Sequence, residues 1–325
     1  MLKLLLYIRM YFFALMFFLA HQQLKAQLTY NELSVQYDSP WTFKKLQLIP
    51  IRFKDKGGAG FQNVTAFNKP VISFDDALKQ HKIVIKENTA EGGADVSTLL
   101  VKNKSKDNIL LMSGEMVQGG KQDRAFGKTT IIPAGRNKNY VPVFCIEKGR
   151  WDDKPKRFKH AGTAGAGVRK QIDVTQRQNK IWKEIDAELA EKNKKNQTSA
   201  YLSAYNDSTL DDTSYLRFFI NKMKESDSSY AGFIAVAGNR IINSEIFSGS
   251  DLCLAAYIDM IKSYVHSLQP SDGVPSKTYD ELKTFTDKFL PDKTTQKKYL
   301  SINGRMYYDN GEVIHIVAYD NTPNP

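Results

Sequence analysis

The stretch "GEMVQGGKQDRAFGKTTIIPAGRNKNYVPVFCIEKGRW", Gly114 to Trp151, decides how the chain is read. Apolar and β-branched runs such as "TTIIPA" and "YVPVFCIE" alternate with Gly, Asn, Asp and Lys clusters, the signature of short strands joined by turns. With "NILLMSGEMV" ahead of them, they predict a three-strand meander with turns near Gly119–Arg124 and Gly135–Asn139. Side chains alternate across a strand, so Ser113 and Glu115 share one face, as do Val143, Cys145 and Glu147. In that register both acids stand opposite the neighbourhood of Gly127, two strand spacings or roughly 10 Å apart, and Gly127 leaves the space between them open. Gln118, Gln122, Arg124 and Arg150 gather around the strand ends, with Arg150 placed to pair with Glu115 or Glu147. Trp151 follows directly, where an indole can close the end of the sheet. One bulge would turn either acid to the other face.

Upstream, "LSVQY", "KLQLIPIRF", "HKIVIKE" and "VSTLLVKN" continue the strand pattern, and Ser73 in "SFDDALKQH" caps one short helix. Downstream, Trp151 to about Gln171 is charged, glycine-rich and aperiodic. It is expected as a loop, and as the junction of two subdomains if the chain divides. Helical spacing then sets in. "DVTQRQNKIWKEIDAELAEKNKK" puts Val174, Ile181, Trp182, Ile185 and Leu189 near one face. "TSYLRFFINKMKES", "SDLCLAAYIDMIKSYVHSL" (Ser250 as N-cap) and "TYDELKTFTDKFL" are further helices. Hairpin signals return at "AGN" within "AGFIAVAGNRIINSEIF" and at Asn310-Gly311. Hairpins in series with segregated helices predict an α+β fold: largely antiparallel sheet in the N-terminal half, helices concentrated in the C-terminal half, and returning hairpins. The expectation is one α+β domain over 27–325.

Residues 1–26 have the pattern of a secretory signal peptide: Lys3 and Arg9 early, the apolar run "MYFFALMFFLA", and Ala26 before Gln27 as the cleavage point. An uncleaved anchor is the rival reading, against which Arg9 interrupts the apolar run. Cleavage would export the protein to the periplasm or beyond, with no later run apolar enough to span a membrane. Without Lys3, Arg9 and Lys25 the chain keeps 43 basic and 35 acidic residues, a net charge of +8. Acids break most lysine runs and aromatic residues do not alternate with them, so nucleic acid is not an expected partner. Anionic ligands or envelope polymers stay open as partners. Cys145 and Cys253 sit in apolar runs and are expected as buried thiols, although an exported chain could bridge them.

Familiar catalytic patterns are missing. There is no HExxH, no zinc-type His/Cys spacing, no GxSxG elbow and no Walker loop, so neither a metal nor a cofactor is expected. His81, His160, His266 and His315 have no partner spacing that would mark a triad. "GTAGAG", Gly162 to Gly167, could offer backbone amides to a phosphate, but no strand is read ahead of it. The chemistry therefore rests on the acids and arginines of the opening stretch. Such groups orient a polar ligand, hold a cation, do acid–base work, or simply brace one another.

Four segments, "GEMVQGGKQDR", "PVFCIEKGRW", "GVRKQ…QNKIW" and "GFIAVAGNRIINSEIFSGSDL", resemble in order a bacterial family named for its association with ADP-ribosylglycohydrolase and rhodanese-phosphatase proteins. The similarity covers most of residues 35–270. It implies a shared domain without an established reaction, and an association with ADP-ribose or nucleotide metabolism. The family's characteristic positions fall on Gly114, Glu115, Gly119, Gly120, Gln122, Arg124, Glu147, Arg150, Trp151, Arg169, Trp182 and Phe247. Taken with the residue-level reading, Glu115 and Glu147 are the candidate catalytic residues. Gln118, Gly119, Gly120, Gln122, Arg124, Arg150, Trp151 and Arg169 are the candidate binding residues. The first expectation is an exported protein that binds a small polar or anionic ligand at this Glu/Arg-lined site. The alternatives are a hydrolase using the Glu115/Glu147 pair on an ADP-ribose-like or glycosidic substrate, and an interaction protein whose Glu–Arg network is purely structural.

Overall fold

The computed structural model describes residues 28–55, 60–90, 93–151, 156–205 and 212–321; residues 1–26, expected as a signal peptide, lie outside them. In chain order the first strands are β1 (Leu33–Val35), β2 (Trp41–Phe43), β3 (Leu46–Phe53), β4 (Val71–Ser73), β5 (Ile83–Ala90), β6 (Gly93–Asn103), β7 (Asn108–Leu111) and β8 (Glu115–Gly120). They continue as β9 (Arg124–Phe126), β10 (Thr130–Ile132), β11 (Asn139–Cys145), β12 (Lys156–Thr163), β13 (Tyr230–Ala237), β14 (Arg240–Phe247), β15 (Gly304–Asp309) and β16 (Glu312–Ala318). The helices are α1 (Phe74–Lys79), α2 (Ala166–Lys170), α3 (Gln178–Glu191), α4 (Leu202–Tyr205), α5 (Asp212–Lys224), α6 (Ser250–His266), α7 (Tyr279–Thr286) and α8 (Lys293–Asn303). The α+β expectation holds, with antiparallel pairing dominant and all described helices but α1 lying beyond residue 165.

Among the described residues the strands form three sheets. One runs β1-β3-β13-β14-β16-β15, with β2 also on β3; a second runs β12-β8-β9-β11-β6-β5; a small third runs β10-β7-β4. The central strand β13 is buried along its whole length. Its "YAGFIAVA" is apolar throughout because both faces are covered. Phe233, Ala235 and Ala237 pack towards α6, while Ile234 and Val236 pack with Leu282, Phe285 and Leu300 of α7 and α8. The second sheet also has two apolar faces. Val117, Phe126 and Val143 pack with Phe74 of α1, and Met116 and Ala125 pack with Ile181, Ile185 and Leu189 of α3. No described helix is long and apolar enough to cross a membrane.

Four expectations change. "NILLMSGEMV" is not one strand: the chain turns at Ser113–Gly114, with Gly114 at φ +81°, so β7 and β8 enter different sheets. Likewise the expected middle strand, "FGKTTIIPA", is split: Phe126 ends β9, and Thr130–Ile132 form β10. The stretch read as a loop from Trp151 contains β12, which pairs with β8, and the short helix α2. Helix α6 begins after Gly249 and not after a Ser250 cap, and α8, capped by Asp292, has no counterpart in the sequence reading. By contrast Ser73 caps α1 as expected, accepting from the Asp76 amide, and Cys145 and Cys253 are free and buried.

Candidate functional site

The register of β8, β9 and β11 decides what the two acids can do together. Val117 pairs with Arg124 and Arg124 with Cys145, so Glu115 lies two residues before one end of that line and Glu147 two residues beyond the other. Strands β8 and β11 are parallel to each other, so the acids are four residues out of step. At ~3.3 Å per residue along the strands and ~4.8 Å between them, that is about 16 Å. The expected facing pair is thereby corrected. It rested on β10 staying in the meander, and β10 instead joins β7 in the third sheet.

Glu147 belongs to the turn end. Its Oε2 accepts from Arg150 Nε at 2.6 Å and its Oε1 from Thr198 Oγ1 at 3.2 Å. Arg150 Nη2 donates to Asp123 Oδ1 at 2.8 Å, and that oxygen also accepts the Gly119 amide at 2.9 Å. Gln122 Nε2 donates to the Glu147 carbonyl while Gln122 Oε1 accepts from Arg124 Nη1. Gly119 is required here: its φ is +120°, and a Cβ would stand 2.7 Å from the Arg157 carbonyl oxygen. Four of the expected binding residues, Gly119, Gln122, Arg124 and Arg150, therefore form one brace with Glu147 and Asp123 across the β8–β9 hairpin. Arg124 is fully buried, with Nε and Nη2 making no hydrogen bond. Gln118 faces solvent. Trp151 does not close the sheet end: it is 50% exposed, with Lys121 Nζ 4.7 Å from its ring centroid.

Glu115 belongs to the other end and to different company. Its Oε2 accepts the Met112 amide at 2.6 Å. Its Oε1 lies 3.8 Å from His160 Nε2, which is itself 3.9 Å from Asp259 Oδ1. Strand β12 brings His160, α6 brings Asp259, and α1 brings Asp75, whose Oδ1 is 3.2 Å from His160 Nδ1. The His160 hydrogen bond holds the Asp75 carboxyl well below the usual range. Burial raises Glu115 well above it, aided by the nearby Asp259 charge, and burial raises Asp259 as well.

Arg169 lies in a third, wholly buried network. Its guanidinium holds Glu245 through two bonds of 2.7 and 2.8 Å, and Glu245 also accepts from Tyr264 Oη. His315 joins Glu245 (Nε2 at 3.2 Å) to Thr129 (Nδ1 at 3.0 Å). Beside it, Asp173 accepts from Ser113, Tyr307 and Tyr319. The Gly114 backbone explains itself here, because a Cβ would stand 2.5 Å from Arg169 Cγ. A strand does precede "GTAGAG", yet its amides are engaged: Gly165 N–H donates to Tyr201 Oη and Ala166 N–H to Ser267 Oγ.

A cavity of about 630 Å³ opens beside α2, α3 and the end of α6, bordered by Gly167, Glu184, Glu188, Lys192, Arg240 and His266. Burial pushes the Glu188 carboxyl up to about 7, although Tyr201 Oη donates to it at 2.8 Å. Oε1 atoms of Glu184 and Glu188 stand 2.7 and 2.6 Å from one point above Gly167, so the two are at most about 5.3 Å apart. Glu184, Glu188 and Asp259 were not singled out from sequence, and His160 was weighed only as a triad member without a partner. Asp259 had a readable signal: it is an acid inside the apolar "LAAYIDMI", and an acid at a core-facing position needs a partner.

Fold and site together define a three-sheet α+β protein with one braced hairpin and two separate clusters of carboxylates. The model of the ARG and Rhodanese-Phosphatase-superfamily-associated Protein domain (ARPP-1) matches residues 34–318, and the chain belongs to that family. No curated protein and no solved structure matches it.

Proposed function

We propose that this is an exported protein that binds a small polar ligand carrying an anionic group, in the cavity beside α3. The observation that supports it is Glu188: a carboxyl pushed up to about 7 in a concave site that lysine and arginine also border. Hydroxyls of a sugar would meet the carboxyls, and a phosphate would meet Lys192 or Arg240 on the rim. The leader pattern of residues 1–26 supports export, to the periplasm or the medium. N-terminal sequencing of protein recovered from those fractions should begin at Gln27; a start at Met1 in a membrane fraction would replace export with anchoring.

Binding is tested by thermal shift against sugars, sugar phosphates, nucleotides and ADP-ribose, the last because of the company the family's name records. A ligand at a hundredfold excess over its Kd stabilises by about 2.7 kcal/mol. That gain should disappear in Glu188→Gln. A panel that moves nothing, or a shift that survives Glu188→Gln and Lys192→Ala together, would overturn the reading. One observation favours a second reading, hydrolysis. The Glu184–Glu188 spacing of at most about 5.3 Å suits a nucleophile and acid acting on an anomeric carbon, whereas Glu115 and Glu147 face separate networks. Turnover of a glycosidic or ADP-ribose-like substrate, abolished by Glu184→Gln, would establish it.

A further inference from the structure

Glu115 Oε1, His160 Nε2 and Asp259 Oδ1 all lie within 4.8 Å of one another, brought together from β8, β12 and α6. We propose that these three atoms bind a divalent first-row transition-metal cation. Such a site has to meet four conditions, and the cluster bears on each.

The first is spacing. With two of the separations at 3.8 and 3.9 Å and the third within 4.8 Å, a point equidistant from all three atoms lies no more than about 2.5 Å from each. A contraction of a few tenths of an ångström gives ordinary metal–nitrogen and metal–oxygen bonds, which lie near 2.0–2.2 Å for zinc.

The second is free lone pairs. His160 Nε2 and Asp259 Oδ1 are buried and make no hydrogen bond, on side chains only 10% and 3% exposed. Leaving two such atoms unmatched is costly unless something else fills the gap. Glu115 uses Oε2 for the Met112 amide, which leaves Oε1 turned to the same gap. Thr163, paired with Glu115 across the strands, also leaves its buried hydroxyl without a hydrogen bond.

The third is ligand orientation. Asp75 Oδ1 at 3.2 Å fixes the proton of His160 on Nδ1, so Nε2 presents its lone pair inwards. That is the carboxylate–histidine arrangement that holds metal-ligating imidazoles in place. The T-shaped contact of Phe74 with the imidazole, centroids 5.5 Å apart, holds the ring from the other side.

The fourth is charge. Glu115 and Asp259 together carry two negative charges when ionised. Lys262 Nζ stands 3.8 Å from Asp259 Oδ1 and 3.6 Å from Asp75 Oδ2, too far to hydrogen-bond either. A dication balances the pair. One nitrogen with two carboxylate oxygens suits zinc, manganese or cobalt over magnesium or calcium, which take all-oxygen sites. His160, Asp75 and Lys262 are partly exposed and mark the side from which an ion enters.

The test uses the full chain, stripped with EDTA and dialysed, then titrated calorimetrically with Zn²⁺, Mn²⁺ and Co²⁺. The expected result is one ion per chain. Affinity should fall at least about a hundredfold in Asp259→Asn and in His160→Gln, fall about 10–100-fold in the positioning variant Asp75→Asn, and stay unchanged in Glu147→Gln. Bound Co²⁺ should show d–d absorption without a thiolate charge-transfer band. Circular dichroism identifies any variant that fails to fold, and the Asp75→Asn ratio then carries the comparison. The proposal is overturned if the wild-type chain binds none of the three ions, or if binding survives both Asp259→Asn and His160→Gln. The cluster is separate from the cavity at Glu188, so failure here leaves the ligand reading standing.

Discussion

Glu147 and Glu115 come from one short stretch of sequence and end in opposite circumstances. Glu147 has a guanidinium at 2.6 Å and a hydroxyl at 3.2 Å, and Arg150 carries the same brace on to Asp123. Glu115 has one backbone amide, an imidazole nitrogen that donates nothing to it, and a second carboxylate for company. The contrast separates two uses of a buried acid. A carboxylate whose charge is met within the fold stabilises a hairpin, and one whose charge is left over is where a bound species can contribute binding energy.

Mutations can break that contrast. The largest effect is expected where the charges are most completely met: Glu245→Ala leaves Arg169 buried and unpaired, costing about 3–5 kcal/mol by urea denaturation. Replacing both partners, Arg169→Met with Glu245→Leu, should cost much less than the single change. Next comes Glu188, a carboxyl with its charge poorly met. Its folded pKa of about 7 lies above the ordinary 4.5. Its stabilising contribution is therefore complete below about pH 4.5 and is lost as pH rises through about 7, by no more than about 3 kcal/mol. Melting curves of Glu188→Gln should accordingly gain on wild type between pH 4 and pH 8, and parallel curves would refute the assignment. Arg150→Met, which leaves Glu147 and Asp123 facing each other, should cost about 2 kcal/mol, with Arg150→Lys in between because it loses the planar fork. Smallest is Glu115→Gln in the metal-free chain. It keeps an acceptor for the Met112 amide and removes a poorly met charge, so stability should change by less than about 1 kcal/mol and rise if it moves. A loss as large as that of Arg150→Met would erase the distinction between the two acids.

Much of the fold was legible because it is local. The Ser73 cap, the Asn310-Gly311 turn and the apolar spacing of α3 and α6 depend on residues a few positions apart, and these elements form, with Val174 falling in a separate turn ahead of α3 and Ser250 opening α6 instead of capping it. What failed depended on distant partners. The glycines of 162–167 look like a loop in isolation. In the fold they are small because Tyr205 packs against Gly162, and Glu184 and Glu188 against Gly167. The facing of Glu115 and Glu147 failed for the same reason, since the departure of β10 to pair with β7 is a choice between sheets that no local pattern encodes. Within the site, Glu115 and the Arg150–Glu147 pair could be picked out. Asp75, His160 and Asp259, separated by 85 and 99 positions along the chain, could not be seen to converge.

The bonds around Asp173 also bear on how the molecule is made. That carboxylate is held by Ser113 from the second third of the chain and by Tyr307 and Tyr319 from its last strands and their edge, while Glu245 waits on His315. The bonds from Tyr307, Tyr319 and His315 cannot close until the ribosome has released the last strands, so this part of the interior is assembled last and from widely separated parts. High contact order of this kind slows folding. A chain emerging from synthesis therefore lacks these interior contacts until its last strands arrive.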